Sequence, residues 1–423
     1  MKNCSAILHV DGDSFFAACE VAKNPALRGK PVVTGLDSGI ATAMTPEAKR
    51  AGVTRGMPIY QIRRVCPDAI ILPTDHETYS LYSERMYKIV RRYSNDVEEY
   101  SIDECFALIQ INPASLKLRR ASTDLIKIGQ KIKEDLWREL GMTFSVGIAP
   151  TKVLAKVASN WNKPDGLKII EIKDKDKYLK TLPVGKVWGI GRATSALLNK
   201  KGIQTALDLV GKNEVWIKEN LSKPMHEIWL ELQGKIVYKI NADAGDDPKS
   251  ISKTRTFRPP STNKSFIYSQ LSKNIESACF NARLLNMVSG KISFYLKTQD
   301  FKYRKLELDL PYPTNLPEEI LKVVSEHFGQ VFKSELLYCA TGITFSKLKN
   351  KNEEQFDLFG DVKKSNSKGE IYETIDRLGR KFGDHSVFLG SSLKAKEKNS
   401  NQKPFHGRNK DRILSIPYLG EVR

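Results

Sequence analysis

A short, largely apolar segment near the N-terminus ends in two closely spaced aspartates. Residues 7–10 (ILHV) have the composition of a strand, Asp11 and Asp13 follow, and residues 15–21 have the composition of a helix. The chain is therefore predicted to begin as a strand, an acidic turn and a helix, with both carboxylates at the turn. We interpret Asp13 as structural and Asp11 as a functional candidate.

A second acidic pair has a similar setting. Residues 77–93 carry apolar and aromatic side chains at helical spacing, and residues 97–109 predict strand around Asp103 and Glu104. Phosphoryl transfer from a nucleoside triphosphate uses divalent ions held by carboxylates, and Asp11, Asp103 and Glu104 are candidates for that role. The carbonyl of Gly12 can add a further oxygen ligand, and an oxygen ligand set favours Mg²⁺. Taken alone, such pairs are more often solvated surface acids.

The middle of the chain contains two candidate phosphate-binding segments. Residues 151–160 predict a basic helix with Lys152 and Lys156 one turn apart on one face. Residues 184–209 predict a helix, a turn and a helix, and Gly189 and Gly191 would let the backbone of the turn approach a phosphate. A G-x-G segment by itself is more often a plain turn than a DNA contact.

The C-terminal part alternates strands and helices. The predicted order is strand, helix, strand, strand, helix, strand, over residues 252–258, 266–288, 291–297, 304–310, 317–328 and 337–348. This order is typical of a split βαβ domain. Residues 350–368 and 391–411 are polar and predict a linker and a tail, and the linker contains a short apolar motif at residues 355–359 (QFDLF).

The chain has 68 basic and 49 acidic side chains, a net charge of +19, which indicates a polyanionic partner. The excess lies almost wholly after residue 110. Six cysteines are scattered without a C-x-x-C pair, which favours reduced thiols over a zinc site. Because no long apolar segment occurs, we expect a soluble, cytoplasmic protein without a membrane partner.

Five segments of the chain resemble the Y-family of DNA polymerases, the lesion-bypass class that includes bacterial polymerase IV and the catalytic subunit of polymerase V. They are HVDGDSFFAACE (9–20), EAKRAGVTRGMP (47–58), YSIDECF (100–106), SVGIAPTKVLAKVASNWNKPDG (145–166) and WGIGRATSALLNKKGI (188–203). Their order and spacing follow the family over nearly the whole chain.

The resemblance assigns roles to the acidic residues. Asp11, Asp103 and Glu104 become the catalytic metal ligands, with the backbone of Gly12, for two Mg²⁺ ions that Mn²⁺ can replace. Phe16 becomes the steric gate that rejects the 2′ hydroxyl of a ribonucleotide.

The resemblance also implies nucleotide contacts. Phe15 and Phe16 would border the nucleotide, and the triphosphate clamp falls on Lys163 and Lys49. This sequence has PEAK at residues 46–49 where the family commonly has Tyr-Glu-Ala-Arg. Lysine keeps the charge of the clamp but loses the bidentate fork of arginine.

The fold expected from the resemblance is an α+β multidomain, right-hand polymerase. The domains would be a palm (1–24 and 79–168), fingers (25–78), a small thumb with a helix-hairpin-helix (169–240), a split-βαβ little finger (249–349), a linker (350–368) and a C-terminal segment and tail (369–423). Duplex backbone would be held by Gly189, Gly191, Lys253 and Arg255.

Further partners follow from the same resemblance. The QFDLF motif is similar to the peptide by which bacterial polymerases dock on the sliding clamp, with contacts from Gln355, Leu358 and Phe359. Residues 371–392 resemble the C-terminal segment of polymerase V catalytic subunits, so an accessory subunit or a recombinase filament is a further candidate partner.

The function implied is an error-prone translesion DNA polymerase that extends a primer on template DNA with dNTPs, without proofreading, in damage tolerance, mutagenesis and the SOS response. Two alternatives stay open. A nucleotidyl cyclase also places paired acids on strands, although it needs no duplex-binding domains. A catalytically silent DNA-binding or clamp-associated protein could keep the same fold.

Overall fold

A computed structural model describes residues 5–111, 121–242, 248–351, 361–383 and 386–397. The described chain divides into two compact units, one before and one after the gap at residues 243–247. Among the described helices, none is both long and apolar enough to cross a lipid bilayer.

The described residues of the first unit form eight strands and eleven α-helices. The strands are β1 Ser5–Gly12, β2 Val32–Thr34, β3 Ala43–Met44, β4 Ile70–Leu72, β5 Val97–Ser101, β6 Glu104–Gln110, β7 Phe144–Ala149 and β8 Leu167–Ile169. The helices are α1 Phe15–Lys23, α2 Pro46–Arg50, α3 Ile59–Val65, α4 His76–Val90, α5 Ala121–Leu140, α6 Lys152–Trp161, α7 Lys175–Leu179, α8 Arg192–Lys200, α9 Ala206–Val210, α10 Glu214–Asn220 and α11 Lys223–Leu232.

The main sheet of this unit has five strands in the order β5-β6-β1-β7-β8. The central strand β1 pairs antiparallel with β6 and β7. Side chains alternate across β1, so that Leu8 and Val10 enter the core formed with α1, α4 and α5. Ile7 and His9 point to the other face, where α6 packs. Strand β1 therefore lies between two helical layers and is buried on both faces.

A smaller sheet, β3-β2-β4, carries α2 and α3 and has its own apolar core around Val33 and Ile62. Helices α7 to α11 pack on the α6 side of the main sheet. The segment predicted as helix, turn and helix over residues 184–209 differs from the prediction. The first predicted helix is only a 3₁₀ turn, Val184–Lys186. The chain then changes direction at Gly189, which adopts φ +87°, before α8 begins.

Contact between α6 and β7 depends on Gly147. A Cβ atom at this position would lie 2.1 Å from the carbonyl oxygen of Ala155 and 2.2 Å from the amide nitrogen of Ser159. Both are backbone atoms of α6, so neither can move without shifting the helix. Helix α6 thus sits as close to the sheet as only glycine allows.

We expect Gly147→Ala to destabilise the first unit by about 3 kcal/mol, as overpacking against backbone does. The urea midpoint of its unfolding transition measures this loss. Gly211→Ala is the matched control, because the nearest heavy atom to its Cβ would be 3.5 Å away. An unchanged midpoint for Gly147→Ala would contradict the close-packing account.

The second unit begins with a four-stranded antiparallel sheet in the order β11-β10-β12-β9. Its elements are β9 Ile251–Ser261, α12 Lys264–Leu284, β10 Met287–Thr298, β11 Tyr303–Thr314, α13 Pro317–Val331 and β12 Tyr338–Asn350. This is the element order predicted from the sequence. Helices α12 and α13 cover one face of the sheet and enclose its core.

The segment after the sheet is helical earlier than the sequence indicates. Helix α14 Asp361–Phe382 begins inside the predicted linker, and α15 Leu393–Glu397 follows a 3₁₀ turn, Gly390–Ser392. Helix α14 docks on α12 through Asp376, whose two carboxylate oxygens accept hydrogen bonds of 2.7 Å from Arg283. This bidentate ion pair explains why a polar segment is held as a helix. The partner of Asp376, Arg283, lies in the preceding sheet domain, so the contact could not be predicted from the segment itself. The QFDLF motif lies outside the described residues.

Candidate active site

Strand register brings the predicted carboxylates together. In the β1–β6 pair, Asp11 lies directly opposite Glu104. Asp103 occupies the tight turn between β5 and β6, and its carbonyl oxygen accepts a 2.8 Å hydrogen bond from the amide of Gly12. Its carboxylate accepts a 2.9 Å hydrogen bond from the hydroxyl of Ser101. All three acids therefore stand at one end of the main sheet.

Glu104 is surrounded by two donors that sequence reasoning did not assign. The imidazole Nε2 of His9 lies 3.0 Å from one of its oxygens, and the Nζ of Lys156 lies 2.8 Å from the same oxygen. Burial alone would raise the pKa of Glu104, but the hydrogen bonds and charges of His9 and Lys156 outweigh it and lower the pKa to about 2. Glu104 is therefore ionised and ready to accept a cation.

Asp11 has a different partner. Its carboxylate lies 2.6 Å from the Nζ of Lys163. Burial raises the pKa of Asp11, and the charge of Lys163 offsets part of that effect. Lys163 thus offsets the charge of Asp11, and Lys156 offsets the charge of Glu104.

The acidic cluster fits a divalent cation. Ligand atoms of His9, Asp11 and Glu104 all lie within 4.8 Å of one another. Asp103 precedes Glu104 on the turn, and its carboxylate, hydrogen-bonded to Ser101, is not part of this close group. The carboxylates are hard oxygen donors and no cysteine belongs to this cluster, which suits Mg²⁺ better than zinc. Burial of His9 lowers its pKa, which keeps the ring neutral and available as a hydrogen-bond partner.

Of the two neighbours of Glu104, only His9 was detectable in principle from the sequence. His9 and Asp11 are two residues apart on a strand, so their side chains share a face. The two-residue repeat of a β-strand could therefore have predicted that His9 lies in the site with Asp11. Lys156 was predicted only as one of two lysines on a basic helix, because its contact with Glu104 depends on how α6 packs on the sheet.

Asp13 ties the loop of Lys163 to the sheet. It is buried, and its two carboxylate oxygens accept hydrogen bonds from the Ser145 hydroxyl (2.8 Å) and from the amide of Asp165 (2.7 Å). The Lys133 ammonium forms a 3.0 Å ion pair with the carboxylate of Asp165. The interpretation of Asp13 as structural agrees with this position, since it braces the turn that carries Lys163.

The two adjacent phenylalanines face different surroundings. The ring of Phe16 is partly exposed and stacks on Tyr79 with centroids 4.5 Å apart, and His76 packs edge-on against it at 5.4 Å. Phe15 is 3% exposed and packs near Phe144 in the core. The Phe15 ring is therefore surrounded by protein, and the predicted contact of Phe15 with a nucleotide stays a prediction.

The remaining predicted residues are dispersed. Lys49 lies exposed on α2, and among the described residues it makes no ion pair. Gly191 precedes α8, and a Cβ there would meet no heavy atom within 4 Å, whereas Gly189 has the positive φ of the turn. The backbone is thus open to an approaching group at Gly191, whereas a Cβ at Gly189 would lie 2.5 Å from Cδ1 of Ile228.

Lys253 and Arg255 lie on the helix-covered side of the second sheet. Strand register pairs Lys253 with Ile343 and Arg255 with Thr341, and Ile343 belongs to the core. Both basic side chains are partly buried. A contact with duplex DNA would therefore have to be made at the edge strand β9 and not on the open face.

Family models match three parts of the chain. Residues 10–160 match the impB/mucB/samB family, residues 248–358 match the C-terminal domain of that family, and residues 173–203 match the HHH motif of the IMS family. The first match contains the acidic cluster and the last contains the turn with Gly189 and Gly191. The three matches follow the order expected from the sequence motifs.

Curated relatives match over most of the chain. A protein of Clostridium perfringens (strain 13 / Type A) named DNA polymerase IV is 31% identical over 373 residues, which cover 86% of this chain and 100% of the relative. A DNA polymerase IV of Pelotomaculum thermopropionicum is 29% identical over 391 residues, covering 92% of this chain and 95% of the relative.

Solved structures agree with these matches. The Y-family DNA polymerase chimera Dbh-Dpo4(243-245)-Dbh has a TM-score of 0.68 at 25% identity, covering 81% of this chain and 98% of its own. The insertion ternary complex of Dbh DNA polymerase has a TM-score of 0.51 at 24% identity, with the same coverage, and supports the fold alone.

These matches confirm the predicted fold class, the right-hand polymerase fold with a helix-hairpin-helix and a C-terminal sheet domain. They also confirm the predicted enzyme class, DNA-directed DNA polymerase, and decide against the nucleotidyl cyclase alternative. Identity above 30% across nearly all of a relative, with the acidic cluster in place, leaves one assignment: the chain belongs to the Y-family of DNA polymerases.

Proposed function

We propose that this polymerase adds dNTPs to a primer 3′ hydroxyl by two-metal phosphoryl transfer on damaged as well as intact templates, without proofreading. The observation that carries the proposal is the register of Asp11 opposite Glu104, with Asp103 on the adjoining turn. This register supports a site in which the three carboxylates would share two divalent ions.

Asp11, Asp103 and Glu104, with the carbonyl of Gly12, would hold the two Mg²⁺ ions. Bound there, the ions would lower the pKa of the primer hydroxyl and neutralise the charge of the leaving pyrophosphate. Lys163, which now pairs with Asp11, would be freed to bind the triphosphate. Lys49 is a second candidate for the same role from the fingers.

Duplex binding is proposed for the turn around Gly189 and Gly191 and for the little finger. Backbone amides at the turn would bind phosphate without reading bases. On the open face of the second sheet, Lys297 lies 5.1 Å from the ring of Tyr303, which is 60% exposed. This basic and aromatic pair is a better candidate for strand contact than the partly buried Lys253 and Arg255.

Further partners are proposed from sequence alone. Gln355, Leu358 and Phe359 would insert into the apolar pocket of a bacterial sliding clamp. An accessory subunit or a recombinase filament is a candidate partner of the segment at residues 371–392. A role in damage tolerance, mutagenesis and the SOS response belongs to the same proposal.

Primer extension tests the proposed chemistry. We expect the purified protein to extend a labelled primer on template DNA with dNTPs and Mg²⁺, and to stop when EDTA removes the metal. Mn²⁺ should restore extension. Binding of primer-template without any extension, with or without a bacterial sliding clamp, would support the catalytically silent alternative.

Asp13→Ala is expected to weaken dNTP binding while leaving the catalytic acids intact. The loop that carries Lys163 would lose the hydrogen bond from the Asp165 amide, and β7 would lose the bond from Ser145, so that the lysine is no longer held beside the site. We expect KM for dNTP to rise roughly tenfold, as loss of one charge-assisted contact does, with kcat little changed. Steady-state single-nucleotide insertion measures both constants.

Asp37→Ala serves as the matched control, because this exposed aspartate accepts its hydrogen bond from Thr74 in the fingers and makes no contact with the Lys163 loop in the described chain. A fall in kcat for Asp13→Ala at unchanged KM would contradict the proposal that Asp13 holds the Lys163 loop. It would instead assign Asp13 a role in the chemical step.

A further inference from the structure

Helix α6 presents two lysines to the main sheet, and the proposed chemistry uses neither as a ligand. Lys152 pairs with Glu98 and lies 5.3 Å from the centroid of the Phe106 ring. Lys156, one turn later, pairs with Glu104. Each ammonium therefore lies between a carboxylate and an aromatic ring, but only Lys156 reaches a catalytic residue.

Lys156 is held in an aromatic cage. Its Nζ lies 4.8 Å from the ring centroid of Tyr100 and 5.1 Å from that of Trp188, and its side chain is 14% exposed. Ring faces attract the ammonium charge without competing strongly for its hydrogens. Those hydrogens stay directed at Glu104, whose two oxygens lie 2.9 and 2.8 Å from the Nζ.

Trp188 joins the helix-hairpin-helix to the catalytic strands. It lies in the turn that precedes Gly189, between the 3₁₀ turn Val184–Lys186 and α8. Its ring packs edge-on against Tyr100 with centroids 5.4 Å apart, and lies 5.9 Å from Phe106. One residue of the DNA-binding hairpin thus contacts both β5 and β6, the strands on either side of Asp103.

We propose that Trp188 is a positioning residue for the polymerase reaction. It holds Lys156 in place, and Lys156 in turn directs the carboxylate of Glu104. The placement of the hairpin is thereby coupled to the orientation of a metal ligand. This inference rests on the proposed role of Glu104 and adds a residue of the thumb to the residues that set its geometry.

The variants Trp188→Leu and Trp188→Phe separate the effect of the aromatic ring of Trp188 from the effect of its side-chain volume. Trp188→Leu keeps an apolar side chain but removes the aromatic face, and we expect kcat for correct dNTP insertion to fall roughly fivefold, as loss of one cation–π contact does. Trp188→Phe keeps a ring face and should restore most of kcat. Primer-template affinity, measured by fluorescence anisotropy, should match that of the native protein in both.

Trp216→Leu is the matched control. Trp216 lies in the same unit, and its ring also contacts two lysines, Lys201 at 5.7 Å and Lys212 at 5.5 Å. It makes no contact with the catalytic carboxylates within the described residues. Its replacement should leave kcat unchanged.

A double-mutant cycle with Lys156→Met tests the order of the contacts. If Trp188 acts through Lys156, Trp188→Leu should cause no further loss of kcat once Lys156 is methionine. Losses that multiply would overturn the inference and assign Trp188 a separate structural role.

Metal binding supplies a readout that does not depend on turnover. Mn²⁺ affinity can be followed by electron paramagnetic resonance in a complex with a dideoxy-terminated primer and the next dNTP. We expect weaker Mn²⁺ binding in Trp188→Leu and Lys156→Met, and native affinity in Trp216→Leu. Native Mn²⁺ affinity in Trp188→Leu would overturn the inference, whereas the two-metal proposal would still stand if Asp103→Ala is inactive.

Discussion

Replacing Asp103 by alanine is expected to abolish primer extension while primer-template binding is kept. Asp103 stands on the turn between β5 and β6, where its backbone is fixed by the amide of Gly12 and its carboxylate by Ser101. The substitution would remove one of the three proposed carboxylate ligands while leaving the backbone of the turn in place. We expect a loss of kcat on the order of a thousandfold, which corresponds to about 4 kcal/mol of transition-state stabilisation.

Single-nucleotide insertion in Mg²⁺ measures this loss, and anisotropy of a labelled primer-template checks DNA binding. Asp96→Ala is the matched control, since Asp96 is an exposed aspartate just before β5. It should leave kcat unchanged. Substantial extension by Asp103→Ala, with Asp11→Asn inactive, would mean that Asp11 and Glu104 suffice to hold the metal.

Replacing Phe16 by alanine is expected to let the polymerase incorporate ribonucleotides. The Phe16 ring cannot withdraw from a nucleotide, because Tyr79 stacks behind it and His76 closes its edge. Tyr79 is itself fixed by a 2.9 Å hydrogen bond from its hydroxyl to Glu20. If Phe16 is the proposed gate, a ribose 2′ hydroxyl pressed against this supported ring would clash, and the methyl side chain of alanine would leave room for it.

The kcat/KM for a ribonucleotide, relative to that for the matching deoxynucleotide, should rise roughly thirtyfold in Phe16→Ala, the scale of relieving a tight steric contact. Phe16→Tyr keeps the ring and should remain selective for deoxynucleotides. Equal discrimination by the native protein and Phe16→Ala would show that another residue forms the gate.

Local sequence determined the elements that carry the chemistry. The apolar segment before Asp11 predicted a strand, and β1 is present. The strand predicted over residues 97–109 is instead divided into β5 and β6, because residues 102–103 form a turn that carries Asp103. The strand and helix order of the little finger was also correct, because periodicity of apolar residues reports which face of each element is buried. The linker prediction failed at α14, where Asp376 pairs with an arginine in a different part of the chain.

Side-chain partners were the part that sequence reasoning could not supply. Phe15 and Phe16 are adjacent and chemically alike, yet one enters the core and the other is partly exposed, since successive helical residues point about 100° apart. Lys253 and Arg255 are basic residues on a strand, but register places them under helices α12 and α13. Charge alone does not say which face of a sheet a residue occupies.

The sequence by itself determined which chemistry this protein can perform, because the carboxylates, the aromatic gate and the basic segments are chosen by residue type and spacing. Only the tertiary structure decided which neighbouring side chains shift the pKa values of the acids. His9, Lys156 and Lys163 reach the acids from three separate elements, β1, α6 and the loop before β8. Charge interactions act through space and depend on burial, so the contact of Lys156 with Glu104 is set by how α6 packs against Gly147, and that of Lys163 with Asp11 by the loop that Asp13 holds.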